Sequence, residues 1–215
     1  MSSQVRGGTR WKRFALVMVP SIAATAAVGV GLAQGALAAS FSVSGQDFKV
    51  SADELVGDDL IQYGSIAEGA TLGSDKKSYH PVTVSGFSSA KITNMCQSLV
   101  TPTPLGNITL QLRTGNKGQA AVAKNIYLDV AELDADATFT DLDIGVAVND
   151  GSHTTKPKPG SVSDGAMFSQ RAKTATLTKV RQKAWATTAG TFTLPDLKLR
   201  LLSGDQPCYK DSDVK

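Results

Sequence analysis

The strongest constraint on the fold is a two-residue alternation that recurs along the chain. Asn107-Ile108-Thr109-Leu110-Gln111-Leu112-Arg113 carries an apolar side chain at every second position. Successive side chains of a strand point to opposite faces, so this pattern buries one face and wets the other. Ile126, Leu128 and Val130 alternate with Tyr127 and Asp129. Ala137, Phe139, Leu142, Ile144, Val146 and Val148 continue the style, and the slip after Phe139 predicts a bulge or turn at Thr140-Asp141. Leu197, Leu199 and Leu201 alternate with Lys198 and Arg200, and Phe41-Ser42-Val43 and Phe48-Lys49-Val50 open the region likewise. A wet face argues against an all-parallel sheet buried between helices. The expected fold is all-β: a single antiparallel β-sandwich or jelly-roll-like domain, with a β-solenoid as the alternative. The one modest helix candidate in this region is 163–173.

A weak echo runs through the strands. Ala90-Lys91-Ile92-Thr93-Asn94-Met95, Ala137-Thr138-Phe139-Thr140-Asp141-Leu142 and Ala175-Thr176-Leu177-Thr178-Lys179-Val180 share the form Ala-x-apolar-Thr-x-apolar. Their spacing is too irregular for a tight solenoid repeat, and the echo reads as a strand-bend-strand unit. Residues 64–81 read as a polar, Gly-rich loop, and Gly115-Asn116-Lys117-Gly118 as a hairpin tip. Residues 149–165, with Lys156-Pro157-Lys158-Pro159-Gly160, read as a long mobile loop, and 210–215 as a disordered tail.

Ahead of the alternating region, residues 14–39 hold no charged side chain, and Arg6, Arg10, Lys12 and Arg13 precede them. A basic n-region (1–13) followed by an apolar core (14–38) is the layout of a secretory signal. Small Ala36 and Ala38 suit a signal peptidase, which would leave Ala39 or Ser40 first. The same run is long enough for a spanning helix, so a retained N-terminal anchor is the competing reading. Both readings place 39–209 outside the cytoplasm as an exported β domain.

That segment changes how charge and cysteine are read. It contributes four of the 22 Lys and Arg and none of the 19 acids, so the exported part is close to neutral. The formal charge of +3 therefore points to no nucleic-acid partner. Both cysteines, Cys96 and Cys208, lie in the exported part, where an oxidising compartment favours a bridge. Closing a loop of that order stabilises by up to about 4.7 kcal/mol.

Candidate chemistry is sparse. No G-x-S-x-G elbow occurs, and only His80 and His153 could serve a serine nucleophile as base, each in an expected loop. Asp129, Glu132, Asp134, Asp136, Asp141 and Asp143 alternate with apolar residues, as on a solvated strand face, and form no calcium loop. Two His and two Cys far apart fit no zinc spacing, and phosphate loops are absent. No metal, cofactor or catalytic residue is expected. Trp185 is either core or the wall of a ligand groove that meets a lipid chain.

Arg10-Trp11-Lys12-Arg13-Phe14-Ala15, Ala38-Ala39-Ser40-Phe41-Ser42-Val43-Ser44-Gly45, Asp134-Ala135-Asp136-Ala137-Thr138-Phe139 and Ala184-Trp185-Ala186-Thr187-Thr188-Ala189-Gly190-Thr191-Phe192 carry a resemblance. Together they make the chain similar to a group of uncharacterised exported or membrane-anchored proteins of streptomycetes and related actinobacteria. The resemblance implies a domain of unknown function behind an N-terminal membrane segment. Some members carry a cholesterol esterase label, which the residues above do not support. The resulting expectation is an exported cell-envelope protein, not an enzyme, with a binding or structural role toward a lipid or a membrane-protein partner. A lipid-ester hydrolase and a passive surface or matrix protein are the alternatives.

Overall fold

A computed structural model describes residues 46–70, 77–151 and 154–214, all within one compact unit, Phe41–Lys215. The n-region, the expected N-terminal helix, the cleavage positions Ala36, Ala38 and Ala39, the strand at 41–43 and His153 lie outside the described residues.

Seven strands follow in order: β1 (Phe48–Ala70), β2 (Lys77–Thr93), β3 (Met95–Thr103), β4 (Gly106–Thr114), β5 (Ala121–Ala147), β6 (Phe168–Thr193) and β7 (Lys198–Ser203). All pairings are antiparallel and join them into one sheet, β2-β5-β6-β1-β3-β4-β7. The strands do not divide into the two sheets of a sandwich, and no parallel coil of a solenoid occurs among the described residues. Because β1 also pairs with β2, the pairings β1–β2–β5–β6–β1 close into a ring. Strand length makes this possible. β1, β5 and β6 run for 23, 27 and 26 residues, several times the usual strand, and reach both neighbours by coiling.

The echoed motif marks where the strands bend. The residue after its Thr adopts positive φ in all three copies: Asn94 at 51°, Asp141 at 49° and Lys179 at 55°. Asp59 and Asn125 do the same at 53° and 49°. An apolar residue follows each of the five. Thus Thr93 and Asn94 both turn outward between buried Ile92 and Met95, and the strand returns to its apolar face after the bend. The bends align across strands. Flanking pairs set Asp59 opposite Ser88, and Ser88 opposite Asn125. Likewise Lys179 lies opposite Asp53, which faces Asn94 and accepts its Nδ2–H at 3.0 Å. The sheet therefore folds along lines that cross it. Asp141 itself brings no register shift; those of β5 and β6 fall elsewhere, two of them around Val130.

Several local expectations change. Of the expected loop 64–81, residues 64–70 and 77–81 are strand: β1 continues to Ala70 and Ile66 pairs with Pro81, while 71–76 lie outside the described residues. This arm is polar because side chains such as Glu68 and Tyr79 face solvent. Residues 115–120 are not a hairpin tip. They join β4 and β5, which run end to end along the β3 and β2 edge, with Cys96 opposite Arg113 and Ile92 opposite Ala121. The helix expected at 163–173 is absent; β6 begins at Phe168, where pairing to β5 and then β1 outweighs local propensity.

Two apolar clusters cover opposite faces where the ring strands alternate. Leu60, Phe87, Leu128 and Val130 belong to the larger, while Ile61, Val84 and Ala186 belong to the smaller. The single disulfide among the described residues joins Cys96 to Cys208, 112 positions apart in sequence, with Cα atoms 5.8 Å apart. Within the stretch read as a tail, Asp211–Asp213 form a 3-10 turn, and Asp211 pairs with Lys49 at 2.6 Å.

Candidate functional site

The face of the larger cluster holds a groove of about 140 Å³ to which β1, β2, β5 and β6 all contribute. Leu55, Leu60, Phe87, Leu128, Leu133 and Phe139 form apolar walls. Gln62, Ser85 and Gln182 supply its polar side chains, and Gln62 donates from Nε2 to Ser85 Oγ at 2.9 Å. Apolar cavities near this volume stay dry and accept a benzene-sized guest, whereas drug-sized ligands fill about 300–1,000 Å³. The groove as formed fits a small apolar group or a segment of an alkyl chain, not a sterol ring system. A smaller pocket shares Leu55, Leu128, Val180 and Gln182 with it and continues to Met95, Gln97 and Phe192. From there the register leads from Gln97 to Leu112 and on to Leu199, an exposed leucine of β7.

The opposite face is covered instead by the connection between β5 and β6, described over 148–151 and 154–167. The sequence predicts a mobile loop over 149–165, yet Thr155 and Lys158 within it are buried. Register places Tyr63, Val84, Asp129 and Ala186 in one row across β1, β2, β5 and β6. Lys158 descends onto that row and its Nζ meets Asp129 Oδ2 at 2.5 Å, with both side chains under a tenth exposed. The Tyr63 hydroxyl accepts the Lys158 backbone N–H at 2.9 Å and hydrogen-bonds Ser161 Oγ at 2.8 Å. Burial raises the Tyr63 pKa above its ordinary 10.0, and the Asp129 charge adds to the rise. Arg171, 1% exposed, donates to the carbonyls of Thr155 at 3.0 Å and Val148 at 2.6 Å. Asp59 accepts from the Thr155 N–H at 2.5 Å, the Thr155 hydroxyl at 2.8 Å and the Thr154 hydroxyl. The left-handed bend at Asp59 thus also anchors the connection.

Of the acids read as a wet strand face, Asp129 departs from that reading: it is 4% exposed. Glu132, Asp136, Asp141 and Asp143 are exposed and Asp134 is half-buried. Among the described residues no cluster of His, Cys, Asp and Glu is placed to hold a metal. His80 lies on β2, not in a loop. Its ring stacks on Trp185 with centroids 3.6 Å apart, and its Nε2 lies 3.0 Å from Ser78 Oγ. Trp185 is half-buried against the smaller cluster and lies outside the groove lining. Of the two readings of Trp185, core or groove wall, its contact with the smaller cluster fits the first, and it takes no part in lining this groove.

Sequence reasoning missed Lys158, Asp129, Tyr63 and Arg171 as a group. They come from β1, β5, β6 and a connection, and no spacing links them. The pattern that predicted an outward Asp129 was correct about the face and could not foresee its cover.

A protein-family model matches residues 44–209. The chain belongs to DUF6230, a family of unknown function. No curated protein and no solved structure matches it. The DUF6230 match takes in the ring, both faces, the connection and both cysteines. No helix among the described residues is long and apolar enough to cross a membrane.

Proposed function

We propose that this DUF6230 protein is exported and binds a small apolar group, such as a segment of a lipid chain, in the groove at the cell envelope. The observation that carries the reading is the groove itself: apolar walls from all four ring strands with a few polar groups among them, the usual make-up of a ligand site. Export draws support from three features. The leader has the layout of a signal or anchor, the compact unit begins at Phe41 just past the expected cleavage at Ala38, and the cysteines are paired. Saturable binding of a fluorescent fatty-acid analogue to protein purified without detergent tests it. Leu133→Asp, in a half-exposed wall, should weaken binding while leaving the fold intact. A folded protein with no extractable lipid and no saturable uptake of the probe would overturn the reading.

A lipid-ester hydrolase is favoured by one contact, Ser78 Oγ to His80 Nε2 at 3.0 Å. Among the described residues no carboxylate bonds His80 to orient it, as a triad requires. Any esterase activity should vanish in Ser78→Ala and in His80→Ala; turnover unchanged in both would remove this assignment. A passive surface component would bind no small apolar probe and would assemble or adhere to wall polymer.

A further inference from the structure

The connection over the smaller cluster delivers an amine onto a carboxyl group. Lys158 Nζ lies 2.5 Å from Asp129 Oδ2, and both side chains are nearly excluded from water. The arrangement is fixed on each side of Lys158: Tyr63 holds its N–H at 2.9 Å, and its carbonyl accepts the Ser161 hydroxyl at 2.8 Å. Holding two reacting groups in contact removes the entropic barrier to their joining. A second observation points the same way. Asp129 Oδ1 is buried with no hydrogen-bond partner. A carboxylate with an unmet buried oxygen is costly, because its charge is removed from water and only half compensated. An amide carbonyl in the same place carries no net charge and costs less.

We propose that Lys158 and Asp129 condense into an intramolecular amide that fastens the connection to β5. In the neutral form of the pair, Nζ attacks Asp129 Cγ. The Nζ–Cγ bond forms, the Cγ–Oδ2 bond breaks, and Oδ2 leaves as water with one proton from Nζ and its own. Oδ1 remains as the amide oxygen. No electron is gained or lost, so no oxidant or reductant takes part. The dry surroundings favour the step, since the lost ion pair was poorly solvated and the water produced escapes to solvent. Tyr63, kept protonated by burial, leaves its hydroxyl proton for Ser161.

The test is the intact mass of the full chain after disulfide reduction, with cleavage by a Glu-specific protease under denaturing conditions. Glu132 is the one glutamate between Asp129 and Lys158, so cutting there separates them unless they are bonded. The expected result is a mass short by one water and two fragments flanking Glu132 that stay joined after reduction. Lys158→Arg should restore the full mass and let the fragments part. A wild-type chain of full mass overturns the proposal. So does a mass short by one water with separable fragments, as a succinimide at Asp150-Gly151 would give. Both outcomes are read on the wild-type chain, so they stand even where the variant fails to fold.

Discussion

The two faces of the ring are made from neighbouring residues of the same strands, yet they exclude water by different means. Leu60, Phe87 and Leu128 enclose a groove whose apolar walls converge from four strands. Ile61, next to Leu60 in β1, and Tyr63 and Val84, three positions from Leu60 and Phe87, lie under a polar network of Lys158, Asp129, Arg171 and Asp59. Apolar contacts are individually small and forgiving, so a face closed by them can keep a space open. Buried ionic contacts are costly unless complete, so a face closed by them is committed to one arrangement. Under the proposed function the first face receives the guest and the second supplies rigidity.

The largest effect should come from breaking the polar network. Asp129→Ala leaves the buried Lys158 amine without its carboxyl partner, whether held as an ion pair or as an amide, and should cost about 3–5 kcal/mol in denaturant unfolding. By contrast, Leu133→Ala, a truncation in the half-exposed wall of the groove, should cost less than 1 kcal/mol, since surface changes away from such features have small effects. Equal losses in the two variants would abolish the contrast between the faces.

Two strand glycines, one behind each face, sharpen it. A Cβ at Gly57 would sit 2.3 Å from the Phe87 ring, and one at Gly86 would sit 2.8 Å from the Tyr127 ring. Gly57→Ala and Gly86→Ala should each lower stability by about 1–3 kcal/mol through overpacking. Gly57→Ala has the second consequence of displacing Phe87 and so altering probe uptake by the groove, whereas Gly86→Ala should leave uptake unchanged.

A smaller effect of opposite sign is expected at the bends. Lys179 holds φ at 55° with an exposed side chain, a conformation that costs a non-glycine residue about 1–2 kcal/mol. Lys179→Gly relieves this while freeing the unfolded chain and losing an exposed ion pair with Asp136, so a net gain of about 0.5 kcal/mol in thermal melting is expected. A loss would mean that the left-handed residue does not set the bend.

The mildest contrast is with pH. Burial raises the pKa values of Tyr63 and Tyr127 on the side of that network. It also pushes Tyr209, beside the disulfide, up to about 12, with the charges of Asp211, Glu132 and Asp47 adding to the rise. A raised folded pKa leaves its contribution intact below the unfolded value of 10.0 and removes it as pH climbs through the folded one. Stability should therefore decline above pH 10.0, for Tyr209 across the interval to about 12, followed through tyrosinate absorbance. Flat stability over that interval would show that the three hydroxyls are not buried in solution.

What the chain determined by itself is local. Alternation announced the strands at 107–113, 126–130 and 197–201, the last running from Lys198, because a side-chain period of two is written directly in the residues. On 107–113, however, Thr109 and Gln111 are buried and Leu110 is exposed, the reverse of the expected faces. The Ala-x-apolar-Thr-x-apolar echo marked strand-bend-strand units, since two polar residues between apolar ones leave a strand no other way to keep one face inward. The pairing of Cys96 with Cys208 was legible because the chain holds just two thiols, both in the region read as exported. What tertiary structure alone decided is which distant pieces meet. Closure of the ring, the groove and the burial of Asp129 beneath Lys158 depend on registers summed over several long strands. A lysine between two prolines looks the same in sequence whether it ends in water or against a carboxylate, because burial belongs to the surroundings and not to the residue.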